Sequence, residues 1–330
     1  MELYRFARPE LFSGKKVMYV HGFASSAQSG TVGRLSVLLP HSKVIARDLP
    51  VEPGEALAML REMAASEQPD LIVGTSMGGM LAEMLYGYDR ILVNPAFQIA
   101  DTILKNIGLG RKEFHNPRAD GQTSFLVTKT LTEHFASTTA HCFEKAAQDR
   151  NRVFGLFGIN DPLVHTFDLF RSHYPNAIRF DGEHRLNDDA LVHSLLPVMQ
   201  WIDDRQNGVS RRVLYISLGD RIVNHSSGIR KAVETLSRSY DVRVVAGVPY
   251  NEPERCPEVF RWCEGNIGVP VWNRVVVSNS KDLLLGDYLI DAEPEEGGGN
   301  DFPGTVLRFG DDPFRTWEDV LVYFDRLGGQ

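Results

Sequence analysis

Residues Asp70 to Met80 read Asp-Leu-Ile-Val-Gly-Thr-Ser-Met-Gly-Gly-Met, an apolar run that breaks at Gly74-Thr75-Ser76-Met77-Gly78. A Gly-x-Ser-x-Gly pentapeptide after a strand is the pattern of a nucleophile elbow. The strand ends in a sharp turn, the serine hydroxyl stands above the sheet, and a helix leaves at once. Gly74 and Gly78 belong where strand and helix backbones pass too close for side chains. Leu71-Ile72-Val73 supplies the apolar, β-branched strand, and Met80 to Tyr88 reads as the helix. Glycine and serine also meet by chance in ordinary turns. The strand in front tips the reading toward an elbow.

Around this point the chain alternates apolar strands with helical stretches. Lys16–Val20, Ser42–Arg47, Leu71–Val73, Ile91–Val93 and Val153–Gly158 read as strands, and Thr31–Leu39 and Gly54–Ser66 as helices. Such alternation implies an α/β protein with a mostly parallel sheet covered on both faces. The pattern changes between Pro95 and Asn151 to a mostly helical insertion with a polar turn at Asn116–Gln122, expected to act as a lid over about residues 97–150. Asp203–Arg212 is polar and lacks apolar periodicity, so it reads as a linker between domains at 1–205 and 206–330. A new strand at Arg212–Ser217 restarts the alternation. Gly297-Gly298-Gly299-Asn300 lacks the lysine and helix start of a phosphate cradle and reads as a flexible loop.

The 330 residues are 43% hydrophobic and 24% charged, which suits a soluble globular chain. A net charge of −8 gives no basic footprint for nucleic acid. The first residues carry Glu2, Arg5, Arg8 and Glu10 and no apolar signal core, and no run reaches membrane-spanning length. Cys142, Cys256 and Cys263 are odd in number and widely spaced. They suggest neither disulfides nor a metal site, and a cytoplasmic setting is the simplest expectation. Cys256 and Cys263 read as small apolar helix residues.

A serine needs a base to take its proton and an acid to orient that base, in the chain order Ser, Asp or Glu, His. Two later turns supply them. Phe157-Gly158-Ile159-Asn160-Asp161-Pro162 ends one strand with Asp161, and Phe180-Asp181-Gly182-Glu183-His184 ends the next with His184. Taken singly, Asp161 is equally an Asp-Pro turn former and His184 one of ten histidines on a wet surface. His165 competes as base, and Asp181 or Glu183 as acid. Order and strand-end placement favour Ser76, Asp161 and His184. The oxyanion donors are expected to be the N–H of Met77 and that of Phe23, in the His21-Gly22-Phe23 loop after the first strand. Gly22 permits close approach, and His21 is expected to order this loop by hydrogen bonds rather than to move protons.

These residues resemble the YqiA-like esterases, a group of α/β hydrolases. The resemblance rests on the strand-His-Gly-Phe-x-Ser-Ser opening, the elbow, Asn94-Pro95-Ala96, and the Asn160-Asp161 and Glu183-His184 turns, over roughly the first 200 residues. It implies a serine hydrolase of short acyl esters or thioesters, acting on a small-molecule substrate without cofactor or metal.

The C-terminal part resembles the 5′(3′)-deoxyribonucleotidases of the haloacid dehalogenase-like superfamily, which implies a Rossmann-like α/β domain. The resemblance is carried by Asn251-Glu252-Pro253, Cys256-Pro257-Glu258, Trp262, Val277 to Leu284, Gly286 to Asp291, Phe309-Gly310 and Trp317. The departures fall on the chemistry. Ser217 and Gly219 stand where the resemblance requires the two aspartates, and Ala292 replaces a further acid. Lys281, Asp287 and Asp291 remain as vestigial positions. Without a carboxylate nucleophile no aspartyl-phosphate forms, and a hard cation loses its ligands. A register shift to Asp220 would put the nucleophile past the strand end. The expected reading is a pseudophosphatase; the alternative is a module that senses a nucleotide or phosphate ligand.

Overall fold

The computed structural model describes residues 2–224 and 226–328, and by its internal contacts the chain divides after Asp203. In the first unit the strands are β1 (Lys16–Val20), β2 (Lys43–Ile45), β3 (Leu71–Thr75), β4 (Arg90–Val93), the pair β5 (Gly110–Glu113) and β6 (Ser124–Val127), β7 (Val153–Gly158) and β8 (Ala177–Phe180). Six of them form one sheet in the order β2-β1-β3-β4-β7-β8, and every pairing is parallel. Leu71, Ile72, Val73, Val17 and Met18 are wholly buried, and Val20 nearly so. Such unbroken apolar runs mark strands covered on both faces. Each side chain of this size stabilises the fold by about 1.5–3 kcal/mol.

The helices are α1 (Gly30–Leu38), α2 (Pro53–Glu67), α3 (Met77–Glu83), α4 (Ile99–Thr102), α5 (Lys129–Thr139), α6 (Phe167–His173), α7 (Asp188–Ala190) and α8 (Leu196–Asn207). α2 starts on a proline at its first position and buries Ala56, Leu57, Leu60, Met63 and Ala64, one stripe of a 3.6-residue period. It stops where Gln68 turns left-handed. The chain leaves β1 toward β2 on one side and returns through α2 to β3 on the other. The carboxyl ends of β1 and β3 therefore flank a topological switch point, where open α/β sheets form their crevice.

Three sequence expectations are corrected. The helix after Ser76 covers Met77–Glu83 rather than Met80–Tyr88, because an elbow starts its helix at the next residue, and the chain turns at Gly87 with φ +88°. The insertion is not mostly helical: the polar turn at Asn116–Gln122 joins β5 and β6 into an antiparallel hairpin between α4 and α5. The expected linker is helical through Asn207, since α8 continues past Asp203.

The second unit has β9 (Arg212–Ser217), β10 (Tyr240–Ala246), β11 (Val275–Val277), β12 (Tyr288–Asp291) and β13 (Thr305–Arg308), all parallel, in the order β11-β10-β9-β12-β13. Its helices are α9 (Asp220–Asn224), α10 (Ile229–Leu236), α11 (Cys256–Asn266) and α12 (Trp317–Arg326). α10 buries Ile229, Ala232, Val233 and Leu236, one helical stripe, and α12 opens with a capping box between Thr316 and Asp319. Cys256 opens α11 and Cys263 is buried within it, where desolvation pushes its thiol up to about 12.

Candidate active site

The site starts at the backbone of Ser76, which has φ 54° and ψ −119°, a strained conformation for a residue with a side chain. Such strain costs about 1–3 kcal/mol and persists only where the surroundings enforce it. The enforcement is visible. Ser76 N–H donates to Val93 O at 2.9 Å, and Ser76 O accepts from Ala96 N–H at 3.0 Å and Met80 N–H at 3.1 Å. A Cβ on Gly74 would lie 2.5 Å from Gly78 O, and one on Gly78 would lie 2.1 Å from Val20 O. Strand, helix and the end of β1 thus leave no room for side chains at those two positions.

Over this turn the side chains of Ser76, His184 and Asp161 form one chain of hydrogen bonds. His184 Nε2 lies 3.1 Å from Ser76 Oγ, and His184 Nδ1 lies 2.8 Å from Asp161 Oδ2. Asp161 is 5% exposed. Its other oxygen, Oδ1, accepts the N–H groups of Leu163 at 2.7 Å and Val164 at 3.1 Å. One carboxylate therefore both forms the Asp-Pro turn and faces the imidazole. Burial pushes its pKa up, but hydrogen bonds from His184 and the two N–H groups outweigh it and hold the carboxyl below the usual range.

The competing residues stand elsewhere. His165 is exposed, Asp181 accepts from Asn160 Nδ2 at 3.3 Å, and the exposed Glu183 meets the site through its backbone.

The β1 exit loop lies directly against the serine: a Cβ on Gly22 would come within 3.4 Å of Ser76 Cβ. Phe23 follows, its ring edge-on to Phe125 of β6 and Phe135 of α5 at 5.3 and 5.9 Å between centroids. Met77 is the first residue of α3, a position whose N–H has no acceptor within its own helix. His21 is 2% exposed and donates no side-chain bond to Ser76; its ring meets Gly22 O and Leu49 N–H.

Sequence reasoning missed how the insertion is fastened to this loop. Asp48 accepts Ala27 N–H at 2.7 Å and Ala119 N–H at 2.6 Å, His115 N–H reaches Ala24 O at 2.8 Å, and Asn116 Nδ2 reaches Ser25 Oγ at 3.1 Å. Asp48 ends a strand reading, and that placement was the available signal. Among the described residues no group of three His, Cys, Asp or Glu side chains is placed to hold a metal, and no helix is long and apolar enough to cross a membrane.

In the second unit, Ser217 (3% exposed) closes β9 and Asp291 (1%) closes β12, at the same edge of the sheet. Lys281 Nζ lies 2.6 Å from Asp291 Oδ2, a buried ion pair. A Cβ on Gly219 would lie 2.9 Å from Glu293 Oε2. Asp287 is separate from this group. It precedes β12, at the opposite end of the strand from Asp291, and its carboxylate accepts Val213 N–H at 2.8 Å. The strand between them corrects the expectation that it shares the vestigial site.

Comparison with known proteins finds two kinds of relative. Residues 16–134, about a third of the chain, match the uncharacterised protein family UPF0227. A 96-residue stretch is 31% identical to a protein of Vibrio phage KVP40 described as "Putative 5'(3')-deoxyribonucleotidase", covering 29% of this chain and 56% of that one. The chain thus spans about half the length of the curated relative it matches. Among solved structures, the monoacylglycerol lipase of Paleococcus ferrophilus is similar with a TM-score of 0.44 at 15% identity, over 60% of this chain and 96% of that one. Est1E from Butyrivibrio proteoclasticus gives 0.41 at 13%, over 62% and 91%. The chain joins a unit with a six-stranded parallel sheet, which carries the UPF0227 match, to a second unit with a five-stranded parallel sheet, and it is similar over part of its length to a putative deoxyribonucleotidase.

Proposed function

We propose that the first unit is a serine hydrolase that cleaves short acyl esters or thioesters through an acyl-enzyme. The observation that carries this reading is the unbroken chain from Ser76 Oγ through His184 to Asp161, at 3.1 and 2.8 Å. Asp161 Oδ2 faces Nδ1–H, so the neutral imidazole turns the lone pair of Nε2 toward the serine hydroxyl. Ser76 Oγ attacks the acyl carbon while Nε2 takes its proton. The negative charge that develops on the carbonyl oxygen is received by the N–H groups of Met77 and Phe23, each contributing about 2.7–4 kcal/mol. Nε2 then passes its proton to the leaving alcohol or thiol. Water repeats the sequence on the acyl-enzyme and frees Ser76.

The second unit is, on this account, a phosphatase-like domain without phosphatase chemistry. Ser217 and Gly219 offer no carboxylate nucleophile, and the Lys281 ammonium is already neutralised by Asp291. A phosphate or nucleotide would have to displace that partner. The test is hydrolysis of a short-chain nitrophenyl ester: Ser76→Ala is expected to abolish it with an unchanged thermal melt, and retained activity would overturn the proposal.

A further inference from the structure

The residue after β4, Asn94, is 1% exposed and has φ 44°, a left-handed conformation that asparagine tolerates better than most side chains. Both ends of its carboxamide are bonded. Oδ1 accepts Gly158 N–H at 2.8 Å, and Nδ2 donates to Glu183 O at 2.9 Å and His184 O at 3.1 Å. These partners fix the orientation of the amide, since an N–H needs the oxygen and two carbonyls need the nitrogen.

His184 lies four residues beyond β8, in a loop outside the ladder of the sheet. Its position depends on a few anchors: Ile159 N–H to Phe180 O, Asn160 N–H to Gly182 O, both at 3.0 Å, and the two bonds from Asn94. Gly158, which Asn94 also holds, is three residues before Asp161. On the other side, the peptide preceding Asn94 supplies Val93 O, the acceptor of Ser76 N–H at 2.9 Å. The Asn94 side chain therefore joins the backbones that carry acid and base, and the peptide before it holds the backbone of the nucleophile.

We propose that Asn94 is a positioning residue that sets the His184 imidazole against Ser76 and Asp161 together. This rests on the acyl-transfer reading of the same site. The requirement is specific: aspartate would turn a carboxylate toward two carbonyl oxygens, and serine is too short to reach Gly158 and the Glu183–His184 loop at once. A misplacement of about 1 Å at a base costs on the order of 10²-fold in rate.

The experiment compares the full chain with Asn94→Gly, which keeps the left-handed backbone, and Asn94→Asp, which keeps the volume. Expected is a kcat about 10²-fold lower per folded molecule with KM within about threefold. The low-field proton resonance of the His184 Nδ1–H, assigned by its absence in His184→Gln, is expected to disappear with it. If Asn94→Gly does not fold, Asn94→Asp decides. Parental kcat, or a lowered kcat with the imidazole resonance intact, overturns the proposal. A parent chain without any Ser76-dependent hydrolysis overturns the acyl-transfer reading instead, and the resonance alone then decides the positioning role.

Discussion

The Nε2 atom of His21 accepts the N–H of Leu49 at 3.1 Å, while its Nδ1 faces Gly22 O at 2.9 Å. A nitrogen that accepts carries no proton, so the ring is the neutral Nδ1–H tautomer. It ties the loop leaving β1 to the loop leaving β2, beside Ser76.

That neutrality has a pH signature. Burial is the dominant influence and holds the His21 pKa below its ordinary 6.5, against the opposing pull of Gly22 O and Asp48. The unfolded chain then binds the extra proton at higher pH than the folded one. Stability is complete above about pH 6.5 and declines as pH falls below it. Melting temperatures measured at pH 7.5 and 5.5 are expected to differ less in His21→Asn than in the parent, although the variant melts lower at both. Equal differences in the two proteins would refute a neutral buried imidazole.

The elbow glycines offer a contrast within one residue type. Gly78→Ala places a methyl 2.1 Å from Val20 O, against backbone that cannot rotate away. A loss of about 3 kcal/mol or more is expected. Gly33 lies inside α1 with nothing within 4 Å of its Cβ position. Gly33→Ala is therefore expected to gain about 0.5–1 kcal/mol from helix propensity. Urea unfolding followed by circular dichroism reads both; similar effects of the two substitutions would contradict the close approach at the elbow.

The Lys281–Asp291 pair predicts a double-mutant pattern. Lys281→Met alone leaves a buried carboxylate without its partner and is expected to cost about 3–5 kcal/mol. Adding Asp291→Leu is expected to recover most of that loss, because two apolar side chains replace two desolvated charges. The thermal melts of the two singles and the double decide it. Additive losses would mean that the pair is not coupled.

The parts of the fold legible in the sequence were those with local signals. Leu71 to Val73 declared itself by apolar β-branched residues, and Ser76, Asp161 and His184 by lying at strand ends in a fixed order. The β5–β6 hairpin did not, because Arg111, Lys112 and Glu113 carry no apolar period even though their burial alternates. Asn94 was visible only as part of a motif. Its contacts lie 64, 89 and 90 residues away, and no local pattern reports them. Asp287 and Asp291 share one short stretch of sequence, and the extended strand between them separates its ends.

On the proposed reading Ser76 is a nucleophile activated by His184. The most direct measurement is reaction of the full chain with a serine-directed fluorophosphonate, followed by peptide mass mapping. One covalent adduct on Ser76 is expected, formed at least about 10³-fold more slowly in His184→Gln. No adduct, an adduct on another residue, or labelling of Ser76 at an unchanged rate in His184→Gln would contradict it.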